Sequence, residues 1–242
     1  RLEAYERGLQ AVRRGIGPDA YLSVCGGHYG GSLGLADSQR SGSDVSGMWN
    51  NPPALPKIKQ NIHRTWMSRL WHVDPDAMMV RRRTEPINDT PRGVLSLGLW
   101  NDDEARTIAL NQYVGGGIVC FTEKFCEIDA DRKALYRHVI PLVNSPSLPL
   151  DYFAPECPSK LLTPVQPNYV GLDPWVTVAL FNWGDECADL QLVLDKDICK
   201  HLAGSKYSAY EFWSQRLLGV FSSDEVVSVS GVAAHSNALI KL

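Results

Sequence analysis

The sequence predicts an α/β unit built on a parallel sheet, followed by a small antiparallel β-sandwich. Three observations carry this expectation. Up to about residue 145, apolar runs of roughly four to six residues alternate with amphipathic helical stretches, the signature of βαβ units. From about residue 148 no helical period persists, and short alternating runs divided by turn residues take over. Between the two regimes Asn144-Ser145-Pro146 breaks the pattern, giving domains of residues 1–145 and 146–242.

Each element has its own local reason. Leu2, Tyr5, Leu9 and Val12 recur at helical spacing, and Gly15 and Gly17 close that helix. Residues 20–25 read as a short buried strand, followed by a Gly-rich loop over 26–34 and a short irregular strand near 38–40. After the break at Asn51-Pro52-Pro53, Ile58, Ile62, Trp66 and Leu70 mark an amphipathic helix ending near Trp71, with Trp66 and Trp71 in the core. Residues 77–80 form the next strand. Asn101 with Glu104 is a capping box that opens a helix to about Tyr113. Gly115-Gly116-Gly117 then turns the chain into strand 118–120, and a further helix runs from about 131 to 143, capped by Asp129 or Asp131. In the second domain, residues 175–182 and 226–229 are the clearest strands.

The composition is that of an ordinary globular protein: 242 residues, 44% hydrophobic, 21% charged, with a net charge of −3. Such a balance gives no electrostatic footprint for nucleic acid or an anionic membrane, and no apolar stretch approaches the roughly 20 residues that span a bilayer. The six cysteines include no Cys-x-x-Cys pair, so no structural zinc is expected. Cys25 and Cys120 lie in apolar runs and read as small buried hydrophobes, while a disulfide among Cys157, Cys187 and Cys199 stays open. No Gly-rich stretch has the phosphate-cradle spacing with its lysine, and no cofactor is expected.

In a parallel α/β barrel, reacting groups lie where strands end. That rule selects residues 25–29, 40–44, 81–83 and 121–123, which would share one mouth. Arg40 and Asp44 stand out, because a glycosidase needs a carboxyl group that serves first as acid and then as base, and an arginine fork binds sugar hydroxyls. By spacing alone, Arg-x-x-x-Asp fits a solvated loop or an ordinary ion pair more readily. Asp74-Pro75-Asp76 precedes its strand and is expected at the opposite, structural end.

The order of motifs is more telling. Gly34-Leu35-Ala36-Asp37-Ser38-Gln39-Arg40-Ser41-Gly42-Ser43-Asp44-Val45, with Trp49 after it, resembles the acid/base segment of glycoside hydrolase families 36 and 27, the α-galactosidase families of clan D. The likeness continues through residues 69–81, Asp103-Glu104-Ala105, Gly116-Gly117, Phe181-Asn182-Trp183 and Glu211-Phe212-Trp213, across essentially the whole chain. It implies that residues 1–145 are the second half of a (β/α)8 TIM barrel and residues 146–242 the C-terminal β-sandwich. It makes Asp44 the general acid/base, Arg40 a sugar contact, and Cys25 with Gly26 part of the segment that reads the second carbon of the sugar. Trp49 offers a ring for stacking on a sugar. The sequence departs from the pattern at Gly26-Gly27-His28-Tyr29 and at Thr122-Glu123, so His28 and Tyr29 are either new sugar contacts or loop packing.

The resemblance further implies a nucleophilic aspartate on the fourth barrel strand, which would precede this chain. The segment is then expected to need the N-terminal part of the same enzyme as its partner, since four strands cannot close a barrel; a homo-oligomer is left open. The implied activity is retaining hydrolysis of terminal α-galactosides. An α-N-acetylgalactosaminidase, a β-L-arabinopyranosidase, a transglycosylating relative and a noncatalytic carbohydrate-binding protein are the alternatives. A bacterial periplasmic or secreted setting is slightly favoured over the cytoplasm.

Overall fold

The computed structural model describes residues 1–45, 49, 55–82, 100–143 and 145–242. Helix α1 (Leu2–Ile16) leads into strand β1 (Ser23–Val24), the short helix α2 (Tyr29–Ser32) and strand β2 (Ser38–Arg40). Helix α3 (Leu55–His63) and a 3₁₀ turn over Thr65–Arg69 precede β3 (His72–Asp74) and β4 (Ala77–Met78). Helix α4 (Asp102–Gly115), β5 (Cys120–Phe121) and α5 (Ala130–Val139) complete the first part. The second part comprises β6 (Leu148–Pro149), β7 (Lys160–Val165), β8 (Trp175–Phe181), β9 (Ala188–Val193), α6 (Lys196–Cys199), β10 (Lys206–Glu211), β11 (Arg216–Ser222), β12 (Val226–Val232) and β13 (Asn237–Lys241).

All strand pairings of the first part are parallel. β1, β2 and β3 form one sheet, and β4 and β5 another. Within them Val24 pairs with Gln39, Arg40 with Asp74, and Ala77 with Cys120. Among the described residues β1 and β5 are each paired on one side only, as are β3 and β4, which follow one another in the chain but belong to separate sheets.

Strand β3 was not expected. The helical stripe predicted to run on to Trp71 gives way after His63 to a 3₁₀ turn, and the chain is extended by His72. Trp66, expected in the core, is largely exposed on that turn, whereas Trp71 is buried. Between β3 and β4, Pro75-Asp76 interrupts the strand, with Asp76 at φ +74°. The capping box of α4 is present as predicted: the Asn101 side chain accepts from the Glu104 N–H, and Glu104 accepts from the Asn101 N–H. Past its end, Gly117 lies flat against the backbone of Val73, where a Cβ would fall 2.1 Å from the Val73 oxygen; only glycine fits. The break at Asn51-Pro52-Pro53, Asn144 and Arg83 lie outside the described residues.

The second part is a sandwich of a six-stranded antiparallel sheet, ordered β11-β10-β13-β8-β7-β6, and the pair β12-β9. The central strand β8 is buried on both faces and shows why. Val176, Val178 and Leu180 point into a core shared with Leu192, Val227 and Ile198 from β9, β12 and α6. Ala179 and Phe181 point the other way, into a core with Ile108, Leu110, Leu135 and Val139 of α4 and α5. Each buried Val, Leu, Ile or Phe among them contributes roughly 1.5–3 kcal/mol, so the β-domain and the helices of the first part are welded through one apolar layer. Contrary to the expectation of burial, Cys25 is exposed, and the six cysteines are free thiols. No helix among the described residues is long and apolar enough to cross a membrane.

Candidate functional site

Arg40 is the centre of the site. Parallel register puts it level with Asp74, and one step beyond the Val24–Gln39 pair it is also level with Cys25. Its guanidinium spends three nitrogens on three carboxylates. Nε donates to Asp74 Oδ2 at 3.1 Å, Nη2 lies 3.0 Å from Asp76 Oδ1, and Nη1 donates to Asp44 Oδ1 at 3.2 Å. Burial alone would pull Arg40 down, but the Asp74 hydrogen bond and the charges of Asp74 and Asp76 outweigh it and hold Arg40 above its ordinary value, Cys25 adding in the same direction.

The carboxylates around it are fixed in turn. Asp74 Oδ1 accepts from the Asp76 N–H at 2.8 Å, and Asp76 Oδ2 accepts from the Val45 N–H at 2.7 Å. The second contact ties the break between β3 and β4 to the residue after Asp44. Asp44 itself is the open member: its side chain is 91% exposed against 7% for Asp74 and 15% for Asp76. Cys120 joins from β5, with Sγ 3.8 Å from Asp74 Oδ1; burial first, and then the Asp74 charge, pushes its thiol up. Chemically this is a rigid anionic cup around one guanidinium, with one carboxylate free to reach a ligand.

Sequence reasoning placed Asp74-Pro75-Asp76 at the wrong end. These residues do precede β4, but they follow β3, and the parallel pairing of Arg40 with Asp74 sets them at the strand ends beside Asp44. The positive φ at Asp76, which splits one strand into two, shows only in the fold. Asp74 and Asp76 are therefore site residues that the sequence did not yield.

Several expected contacts are placed elsewhere. The Tyr29 hydroxyl donates to the Ser41 carbonyl and receives Arg64 Nη1, while its ring stacks on Trp71 at 6.3 Å; the side chain is packing, held under the outer turn. His28 caps α2, its Nδ1 accepting the Gly31 N–H at 3.3 Å, and its ring faces Tyr5 of α1. Gly26 is exposed at φ +68°, a turn position beside Cys25. Trp49 does not offer an open face to a sugar. It is 4% exposed, stacked on His235 at 4.5 Å and edge-on to Trp100. Since sequence distance says nothing about that partner in β13's approach, only the fold reveals it.

Beyond β4 the ends are braced by ion pairs. Glu123 is fully buried at its side chain; it accepts the Val80 and Arg81 N–H groups and pairs with Arg81 Nη1 at 2.8 Å. The residue that departs from the family pattern is thus spent inside the protein. Arg132, buried on α5, donates to the carbonyls of Val80 and Trp100 and to Asp102. Arg82 pairs with Asp102, Asp129 and Asp131. Among the described residues no group of three or more His, Cys, Asp or Glu side chains is arranged to hold a metal ion.

No protein-family model matches the chain. Its fold is shared with solved glycoside hydrolases. The β-L-arabinopyranosidase of Geobacillus stearothermophilus, a family 27 enzyme, superposes with a TM-score of 0.72 at 15% identity, over 98% of this chain and 53% of that one. The α-galactosidase I of Mortierella vinacea gives 0.63 at 17% identity, over 99% and 62%. The α-galactosidase of Saccharomyces cerevisiae with raffinose gives 0.64 at 14%, over 99% and 67%. The likeness is one of fold, of the family 27 type, and the chain spans about half the length of the arabinopyranosidase it matches.

Proposed function

We propose that this chain is the C-terminal portion of a retaining glycoside hydrolase that releases terminal α-galactosyl or closely related residues, with Asp44 as general acid/base. The observation that carries the reading is the Arg40 fork, which aligns Asp44 and Asp76 at the ends of neighbouring parallel strands. Catalytic groups sit at that end in α/β barrels. The solved structures of the same fold include a β-L-arabinopyranosidase and α-galactosidases.

In this reading Asp44 protonates the leaving oxygen, then deprotonates the water that resolves the glycosyl-enzyme. The nucleophile belongs to the part of the enzyme that precedes this chain, about 5–5.5 Å from Asp44 as in retaining glycosidases generally. The singly paired strands β1 and β5, the exposed Phe121 on β5 and the exposed apolar side chains Leu2, Val12 and Ile16 on α1 support a barrel completed by that part. Arg40 and Asp76 position Asp44 and bind hydroxyls.

The test is nitrophenol release from aryl α-galactoside, α-N-acetylgalactosaminide and β-L-arabinopyranoside by the longest natural form of the protein, beside its Asp44→Asn variant. Turnover of one member, lost in the variant, is expected. Sugar binding without turnover of any member would assign the protein to noncatalytic carbohydrate recognition instead.

A further inference from the structure

The helix-facing surface of the six-stranded sheet is only partly covered. Along β8 that surface carries Trp175, Thr177, Ala179 and Phe181; on β13 it carries Leu239 and Lys241. The pairings of Thr177 with Lys241 and of Lys241 with Tyr210 make these residues cross-strand neighbours on one face. Near the end of α4, the Tyr113 hydroxyl bonds Thr177 Oγ1 at 2.8 Å, so the helical cover stops at Thr177 and does not reach Trp175. A cavity of about 340 Å³ is left there, floored by Leu110, Val139 and Leu239 and walled by Trp175, Tyr210 and Trp213. Its size lies in the range of small-molecule sites, and it lies between two packed layers, where such sites concentrate. A second cavity, of about 580 Å³, adjoins it and shares Trp175, Tyr210 and Lys241. None of these residues belongs to the Arg40 cup.

The chemistry of the lining selects a ligand. An aliphatic floor would strip water from sugar hydroxyls and return no hydrogen bond, a net cost, whereas it favours an apolar ring. Trp175 and Tyr210 supply flat faces for such a ring. Within the first cavity the permanent charge is single and positive, while the adjoining one adds the opposed pair Lys206 and Asp173 to its lining. The Lys241 ammonium stands over the Trp175 ring, 4.3 Å from its centroid. The other basic lining residue, His138, is held below its ordinary value by burial, which favours its uncharged form.

We propose that this cavity is a second ligand site, for a small amphiphile made of an apolar ring system bearing one anionic group. The ring lies on Tyr210 and against the part of Trp175 that Lys241 leaves uncovered, above the aliphatic floor, and the anion pairs with Lys241 at the mouth.

The experiment is a fluorescence titration of the longest natural form with anilinonaphthalene sulfonate, a ring system with one anionic group, alongside its analogue lacking the sulfonate. Saturable binding is expected for the wild type. Lys241→Gln, at an exposed position, should weaken the sulfonate roughly tenfold while leaving the uncharged analogue unchanged. Trp175→Ala should remove both. Should Trp175→Ala fail to fold, as judged by its thermal midpoint, the Lys241→Gln comparison decides alone. Equal sulfonate binding by wild type and Lys241→Gln would overturn the proposal by placing the probe elsewhere, for example on the open strand edges. So would a thermal shift given by galactose, rather than by the sulfonate, that depends on Trp175.

Discussion

Arg40 Nη2 lies 3.0 Å from Asp76 Oδ1, and through this contact two strands distant in sequence hold one charged unit at their ends. Asp76 sits at φ +74°, a region that asparagine tolerates nearly as well as aspartate. Asp76→Asn therefore removes the charge without straining the backbone. With Asp76 neutral, Arg40 is drawn toward Asp74, and Val45 loses a charged acceptor next to Asp44. We expect kcat/KM on the active aryl glycoside to fall on the order of a hundredfold, the scale of a misplaced reacting group. Arg40→Lys should fall as far, because one ammonium cannot serve three carboxylates in a fork. Activity within about twofold of wild type in both variants would remove this pair from the site.

Legibility in the sequence followed the range of the interaction. The Asn101–Glu104 capping box spans three residues and was readable outright, as were the alternating runs that became β8 and β12. Strand β3 was not, since His72-Val73-Asp74 abuts a 3₁₀ turn that continues the apolar stripe of α3, and periodicity cannot separate them. Arg40 and Asp44 were found at their strand end. Their partners Asp74 and Asp76 were not, because a parallel register is a tertiary fact that spacing does not encode. The expectation for Trp49 and the choice left open at Tyr29 met the same obstacle: an aromatic residue beside a site looks alike from sequence whether it meets a ligand, His235 or Trp71.

His235 joins the two parts of the chain. Its Nδ1 lies 3.0 Å from Glu104 Oε1 on α4 and its Nε2 lies 2.8 Å from Asp185 Oδ1, with the ring stacked on Trp49. Its φ of +60° again makes asparagine the least disruptive replacement. A double-mutant cycle of His235→Asn and Glu104→Gln, read by denaturant unfolding, should show a coupling of about 1–2 kcal/mol. Strict additivity would mean that the His235–Glu104 contact adds nothing to the join, leaving it to the apolar layer and to other polar contacts such as Asn237 with Thr107 and Ser236 with Asp103.

Asp102 gives the expected acid dependence. The Arg82 hydrogen bond holds its carboxyl below the usual value, with Arg132 acting in the same sense against the cost of burial. A depressed folded-state value means that its stabilisation is fully present above the ordinary carboxylate value near 4 and is lost as pH falls through the lower, folded one. The gap in thermal midpoint between wild type and Asp102→Asn should thus be constant at neutral pH and close below about pH 4. A gap that widens on acidification would contradict this assignment.

The free thiols should react in an order set by exposure and ionisation. Cys25, Cys126 and Cys187 are exposed, whereas Cys157 is buried and its thiol is pushed up to about 12, chiefly by loss of water. Thiolate is the reacting form, so Cys157 is protected twice, by access and by protonation. Mapping iodoacetamide adducts over time at mildly alkaline pH should find the three exposed positions modified first and Cys157 only after denaturant is added. Cys25 lies level with Arg40, so its adduct should also block aryl glycoside turnover, and Cys25→Ser should be immune to that inactivation. If the reagent inactivates Cys25→Ser as fast as wild type, the loss comes from another thiol, and Cys25 does not line the mouth.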